Sequence, residues 1–175
     1  QERRRFLNIQ LAQTDPLYVH HLMRYHKAMK HRNALLKVRS VNSIESWEQM
    51  MGDSARYLMD KRAALIEALR PKVKAFAEEL SFGEDTFDLH YEPSISLKRA
   101  DEIETLLQKQ RPKELILGNT IIGPHRDDLH ITYKDRDAKN FASEGQKRTC
   151  IAALKIAEWE MLKEQAETTP LFAID

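Results

Sequence analysis

Ser143, Gly145, Gln146, Lys147 and Arg148 fall within the six positions 143–148, where a polar stretch gives way to an amphipathic pattern. A helix that starts there presents unpaired backbone amides and the positive end of its dipole. A hydroxyl adds a donor, and a glycine lets another surface come close. An amide and two cations complete a set suited to a phosphate. The same residues also fit a plain role, with Ser143 as a helix cap and Gly145 as a turn residue. Residues 170–175, PLFAID, form an apolar run that ends in a carboxylate, Asp175. Phosphate-cleaving sheets often hold Mg²⁺ in this way. A third cluster is GPHRDD, residues 123–128. Gly123 and Pro124 mark a turn. His125 and Arg126 could reach a phosphate at a nucleotide or dimer interface, or Asp127 and Asp128 could pair with Arg126 and simply fix the loop. No acid–base partner for His125 is identifiable, so it is a poor catalytic candidate.

Charge supplies the fourth feature. The net charge is +1, yet positions 17–40 contain no acidic residue and include Arg24, Lys27, Lys30, Arg32, Lys37 and Arg39. A local basic face on a near-neutral protein suits a polyanion, with Arg24, Lys27, Lys30 and Arg32 as its contacts. The competing reading is a solvated helix face whose cations pair with acids elsewhere.

The composition narrows the classes. Apolar residues make up 42% and charged residues 31% of 175 positions, the balance of a globular protein of one domain or two small ones. No apolar run reaches the roughly 20 residues of a membrane helix, and the first ten residues, QERRRFLNIQ, have no signal-peptide core. Cys150 is the only cysteine, which excludes a disulfide framework and points to the cytosol. The seven histidines do not fall at zinc-ligand spacing. The missing initiator Met and a last residue inside an apparent strand suggest a piece of a longer chain.

The elements that must position these residues follow from periodicity. Asp15-Pro16 starts a helix with a cap and a proline at its first position. Tyr18, Leu22, Tyr25 and Met29 give it an apolar stripe to about Val38. A long second helix carries Trp47, Met51, Leu58, Leu65, Leu69, Val73, Phe76 and Leu80, with a kink or break expected at Pro71. The two form an antiparallel helical hairpin. Beyond Ser81-Phe82-Gly83 the pattern alternates over Phe87–Tyr91, the period of a strand. A short helix over 99–111 should end at Pro112. Strands are expected at Thr120–Ile122 and Leu129–Tyr133, with a third short one after the turn at Lys134 to Asp137. A helix then runs from about Gly145 to Gln165, and residues 171–174 read as a strand buried on both faces. The predicted organisation is α+β: a helical arm over 1–80 and a mixed α/β head over 81–175.

Several stretches, taken in order, resemble the RecF family of ABC/SMC-like P-loop ATPase heads. They are RRRFLN (3–8), YHKAMKHRNALLK (25–37), GNTIIGPHRDDL (118–129), ASEGQKRTCIAALKIAE (142–158) and PLFAID (170–175). GPHRDD followed by Ser-x-Gly-Gln-x-Arg is the most specific part of the match. The resemblance implies that Ser143, Gly145, Gln146 and Arg148 form the signature element that closes over the γ-phosphate of ATP held by a partner subunit. It implies a Walker B role for Asp175, toward Mg²⁺. Lys147 stands where the family more often has Gln.

The family's phosphate-binding Walker A loop, Gly-x-x-x-x-Gly-Lys-[Ser/Thr], is not in this sequence, because none of the five glycines precedes a lysine. The expectation is that the parent protein is a weak DNA-dependent ATPase and that this segment alone does not hydrolyse ATP. The resemblance further implies binding to single-stranded DNA and to single-/double-strand junctions, and an ATP-dependent homodimer in the bacterial cytoplasm. RecR is the implied partner, with RecO and RecA in the same pathway and a link to the SOS response. Two other readings compete. A helical interaction module without a nucleotide role explains the hairpin but not the motif order. Other SMC- or Rad50-like heads carry far longer coiled-coil arms.

Overall fold

The computed structural model describes residues 2–165 of the chain. Six α-helices and three strands are present among them: α1 Glu2–Thr14, α2 Pro16–Lys37, α3 Ile44–Leu80, β1 Phe87–Glu92, α4 Ile103–Leu117, β2 Asp128–Tyr133, β3 Arg136–Asp137, α5 Ala138–Phe141 and α6 Glu144–Gln165. The fold is α+β, as expected. The strands form one sheet in the order β1-β2-β3. β2 and β3 pair antiparallel, with Thr132 opposite Asp137 and Tyr133 opposite Arg136.

Two compact units emerge, neither continuous in sequence. One comprises Gln1–Arg62 and Glu92–Asp128, the other Ala63–Tyr91 and the chain from Leu129 on. This division differs from a single boundary near residue 80, because α3 contributes its first half to one unit and its second half to the other.

α2 begins as its sequence requires. Asp15 has extended backbone and its carboxylate accepts from the Tyr18 amide at 3.1 Å, with Pro16 in the first helical position. Its buried residues are Tyr18, Tyr25, Ala28, Arg32 and Leu36. α1 has no counterpart among the expected elements. It buries only Leu7 and Leu11, too short a repeat to stand out from its charged surroundings.

Three expectations are corrected here: the break that was one alternative at Pro71, the stop at Pro112 and the strand at Thr120–Ile122. α3 runs unbroken through Pro71 and α4 runs through Pro112. Each proline deprives the carbonyl four residues earlier of its donor. Pro71 and Glu67 are exposed, as are Pro112 and Gln108, so water can satisfy both carbonyls while the opposite helix face stays packed. α4 ends instead at Gly118, whose φ of 70° is left-handed and whose amide donates to the Glu114 carbonyl at 2.7 Å. The third correction concerns Thr120–Ile122, which is not a strand. Side chains meet its backbone donors: Asn33 Oδ1 accepts from the Thr120 amide at 2.8 Å and Glu114 Oε1 from the Ile121 amide at 2.7 Å. With these donors satisfied locally, the segment needs no sheet partner.

Candidate functional site

The start of α6 gathers Ser143, Gly145, Gln146 and Arg148 in the second unit. Ser143 Oγ accepts from the Gln146 amide at 3.2 Å, and Gln146 Oε1 accepts from the Ser143 amide at 2.8 Å. This is a reciprocal capping box, with glutamine at the third helical position. Because Oε1 is taken by a backbone donor, the other end of the Gln146 amide must donate. Nε2 does so, to Tyr133 Oη at 2.7 Å. Tyr133 in turn donates to Asp85 Oδ1 at 3.1 Å. Each bond in this chain has only one possible polarity.

One polar hydrogen is left over. Ser143 Oγ is used as an acceptor, and among the described residues nothing accepts its own hydrogen. Ser143, Glu144 and Gly145 are all exposed. Gly145 is not held by internal geometry either. A Cβ built on it would meet only Ser143 Oγ, at 3.9 Å, and its backbone is ordinary helix. Glycine in a helix interior costs about 1 kcal/mol relative to alanine, and the fold itself gives no reason for one at this position. Lys147 is occupied locally by Glu144 at 2.9 Å. Arg148 is exposed one turn into the helix. The hydroxyl, the free first-turn amides and the open glycine fit a phosphate oxygen. Asp175 lies outside the described residues, and among those described no group of three His, Cys, Asp or Glu side chains could hold a metal ion.

GPHRDD lies in the first unit and is bound inward. Gly123 has φ 117° and ψ 177°, a conformation essentially confined to glycine. Ser94 Oγ accepts from its amide and donates to its carbonyl, both at 2.9 Å. His125 uses both ring nitrogens. Nε2 bonds the Thr120 carbonyl at 3.1 Å and must donate, so Nδ1 accepts from Tyr25 Oη at 2.7 Å. Burial pushes the His125 pKa down to about 4, leaving the ring neutral at physiological pH. Asp127 is fully buried against Arg62 at 3.0 Å and also accepts from the Ser94 amide at 2.8 Å. Arg3 grips Asp128 with two bonds of 2.9 and 2.5 Å. The acids therefore pair with Arg62 and Arg3, not with Arg126. Arg126 itself is exposed and donates to the Thr120 carbonyl at 3.3 Å.

The basic stretch divides. Lys27 and Lys30 are exposed, and Arg24 is partly exposed and paired with Asp53 at 2.8 Å. Arg32 is a correction. It is fully buried, with Glu48 at 2.9 Å, Glu114 at 2.6 Å and Thr120 Oγ1 at 2.8 Å around its guanidinium. It sits in phase with Tyr25, Ala28 and Leu36 on the packed face of α2, so it cannot track an external polyanion.

No family model matches the chain. It is 46% identical to the DNA replication and repair protein RecF of Protochlamydia amoebophila, over all of this chain and 50% of that protein. It is 35% identical to RecF of Leptospira interrogans, over 99% of this chain and 48% of that one. A solved structure of the recombination mediator protein RecF-ATP in the RecFOR pathway superposes with a TM-score of 0.88 at 26% identity, over 97% of this chain.

The chain belongs to the RecF family.

It spans about half the length of the curated RecF relatives it matches. Within this RecF-family segment, three contributors escaped sequence reasoning. Tyr133 and Asp85, which hold Gln146, stand 48 positions apart. Arg62 sits on the buried face of α3 and bonds Tyr18 Oη, the Pro124 carbonyl and Asn8 at 3.0, 2.6 and 2.9 Å. A charged residue in phase with an apolar stripe was the available signal for Arg62 and Arg32. Asp85 carried none.

Proposed function

We propose that this chain is the part of an ATP-gated DNA-binding protein of recombinational repair that presents the signature element in trans. The observation that carries this reading is the Ser143 hydroxyl, whose hydrogen has no acceptor among the described residues, beside the open Gly145 on a chain of the RecF family. Ser143 donates to a terminal phosphate oxygen of ATP held by a second subunit, and the free first-turn amides of α6 add their partial positive charge. Gly145 admits the phosphate to the backbone. Arg148 supplies charge behind them. Asp175 helps position Mg²⁺, which neutralises phosphate charge when bound. Arg126 is the residue of GPHRDD with an exposed cation to offer such an interface.

DNA engages the exposed cations of α2, Lys27 and Lys30 with Arg24 beside them. Such contacts give affinity without sequence preference and weaken as salt rises. Single strands and single-/double-strand junctions are the proposed ligands. Closure of the homodimer over nucleotide sets how long it stays on DNA, and hydrolysis releases it. RecR is the proposed direct partner, with RecO and RecA acting in the same cytoplasmic pathway and in the SOS response. Among the described residues no helix is long and apolar enough to cross a membrane.

The test compares full-length protein with its Ser143→Arg variant, following ATP-dependent self-association by light scattering and nucleotide binding in parallel. Loss of the dimer with nucleotide binding intact supports action across the interface. A dimer that forms as in wild type would reduce Ser143 to a helix cap and overturn the reading.

A further inference from the structure

Both ends of the Gln146 amide are engaged within the fold. Its carbonyl oxygen is held by the Ser143 amide at 2.8 Å and its nitrogen donates to Tyr133 at 2.7 Å. Tyr133 is buried. Its ring packs against Phe87 at a centroid distance of 5.1 Å, and its hydroxyl is oriented by Asp85. Asp85 is buried too, and its own amide donates to Ser81 Oγ at 2.8 Å, at the end of α3. A line of hydrogen bonds of fixed polarity thus runs from the end of α3, through β2, to the amide of Ser143. Linked hydrogen bonds restrict geometry more than isolated ones do.

We infer that Tyr133 and Asp85 are positioning residues for the phosphate-facing start of α6, and that Gln146 is the relay through which they act. Gln146 fixes the backbone of Ser143, which aims the serine hydroxyl and the first-turn amides. Tyr133 fixes Gln146 by accepting from one of its two amide hydrogens, which holds the amide against swinging away from the cap. Asp85 keeps the tyrosine hydrogen pointing inward, so that its lone pair faces Gln146. The inference rests on the proposed role of Ser143 for its functional consequence, while its structural half stands apart from that role.

The experiment uses full-length protein and two readouts. Amide hydrogen exchange at Ser143 measures the positioning directly. ATP-dependent self-association, with nucleotide binding by the monomer as control, measures its consequence. Tyr133→Phe keeps the ring and removes only the hydroxyl. Loss of one such bond is expected to speed exchange at Ser143 by about five- to tenfold and to weaken self-association by a similar factor, with monomer nucleotide binding unchanged. Asp85→Ala should act in the same direction. Asp85→Asn keeps an acceptor for the tyrosine and should restore wild-type behaviour. Ser143 exchange as slow in Tyr133→Phe as in wild type overturns the inference. So does loss in Asp85→Asn equal to that in Asp85→Ala. If the exchange responds but Ser143→Arg still self-associates, the positioning stands and the proposed role of Ser143 falls.

Discussion

Arg32 Nη2 lies 2.6 Å from a carboxylate oxygen of Glu114, and neither side chain reaches solvent. Glu48 flanks the same guanidinium at 2.9 Å and also meets Arg111 at 2.5 Å. Glu114 meanwhile reaches the Ile121 amide. A residue that reads as part of a basic surface is in fact the pin joining α2, α3, α4 and the segment before GPHRDD. Arg62 repeats the device on the other side of the loop, through Asp127.

Breaking the first pin should be costly. Arg32→Ala leaves two buried carboxylates short of their partner, and such a loss destabilises by about 3–5 kcal/mol. Denaturant unfolding of the full-length protein checks this. A change under about 1 kcal/mol would show that water reaches Glu48 and Glu114.

Lys27 and Lys30 should behave in the opposite way. The double variant Lys27→Ala/Lys30→Ala should change stability by no more than about 0.5 kcal/mol. It should weaken DNA binding and reduce the slope of log affinity against log salt by about one to two. Fluorescence anisotropy over a salt series measures both. An unchanged slope would remove these lysines from the DNA face.

His125 sets a pH dependence. Its folded pKa, about 4, lies below the ordinary value of 6.5 because burial disfavours the charged ring. As pH falls, the unfolded chain therefore takes up this proton first. The contribution is complete above about pH 6.5 and is lost as pH falls through about 4, and it amounts to about 3 kcal/mol. His125→Gln should unfold with a visibly shallower decline of stability between pH 6.5 and 4. Parallel curves for the two proteins would show that the ring is not held neutral.

The two motif glycines should part company on replacement by alanine. Gly123→Ala should destabilise by about 2 kcal/mol or more, since its backbone lies in glycine-only territory and a Cβ would run into the Tyr25 hydroxyl. Gly145→Ala should leave stability unchanged or raise it by up to about 1 kcal/mol, yet impair ATP-dependent self-association. Thermal unfolding and light scattering separate the cases. Normal self-association in Gly145→Ala would mean nothing approaches that backbone.

Much of the fold was legible in sequence where a local rule sufficed. Asp15-Pro16 sets the start of α2 and the alternation over Phe87–Tyr91 marks β1, while the turn after β2 is only Lys134-Asp135 and β3, Arg136–Asp137, falls inside the segment expected to be turn. Pro112 misled as a stop, because a helix can carry a proline where the carbonyl it orphans meets water, and exposure is not a local property. Thr120–Ile122 looked like a strand because β-branched residues favour one, yet Asn33 and Glu114 supply what a neighbouring strand would have supplied.

The candidate site shows the same boundary. By itself the sequence determined the family motifs and their order, the helix that begins after Ser143 and the serine–glutamine spacing that closes its capping box. The helix start and its cap depend on residues within a turn of each other, and the motif order is read directly from the chain. Tertiary structure alone decided which charges face outward and what holds Gln146. Arg32 and Lys30 are two positions apart, but a helix turns about 100° per residue, so one enters the core and the other meets solvent. Tyr133 and Asp85 reach Gln146 only because folding brings β2 and the end of α3 beside α6, and no sequence spacing encodes that approach.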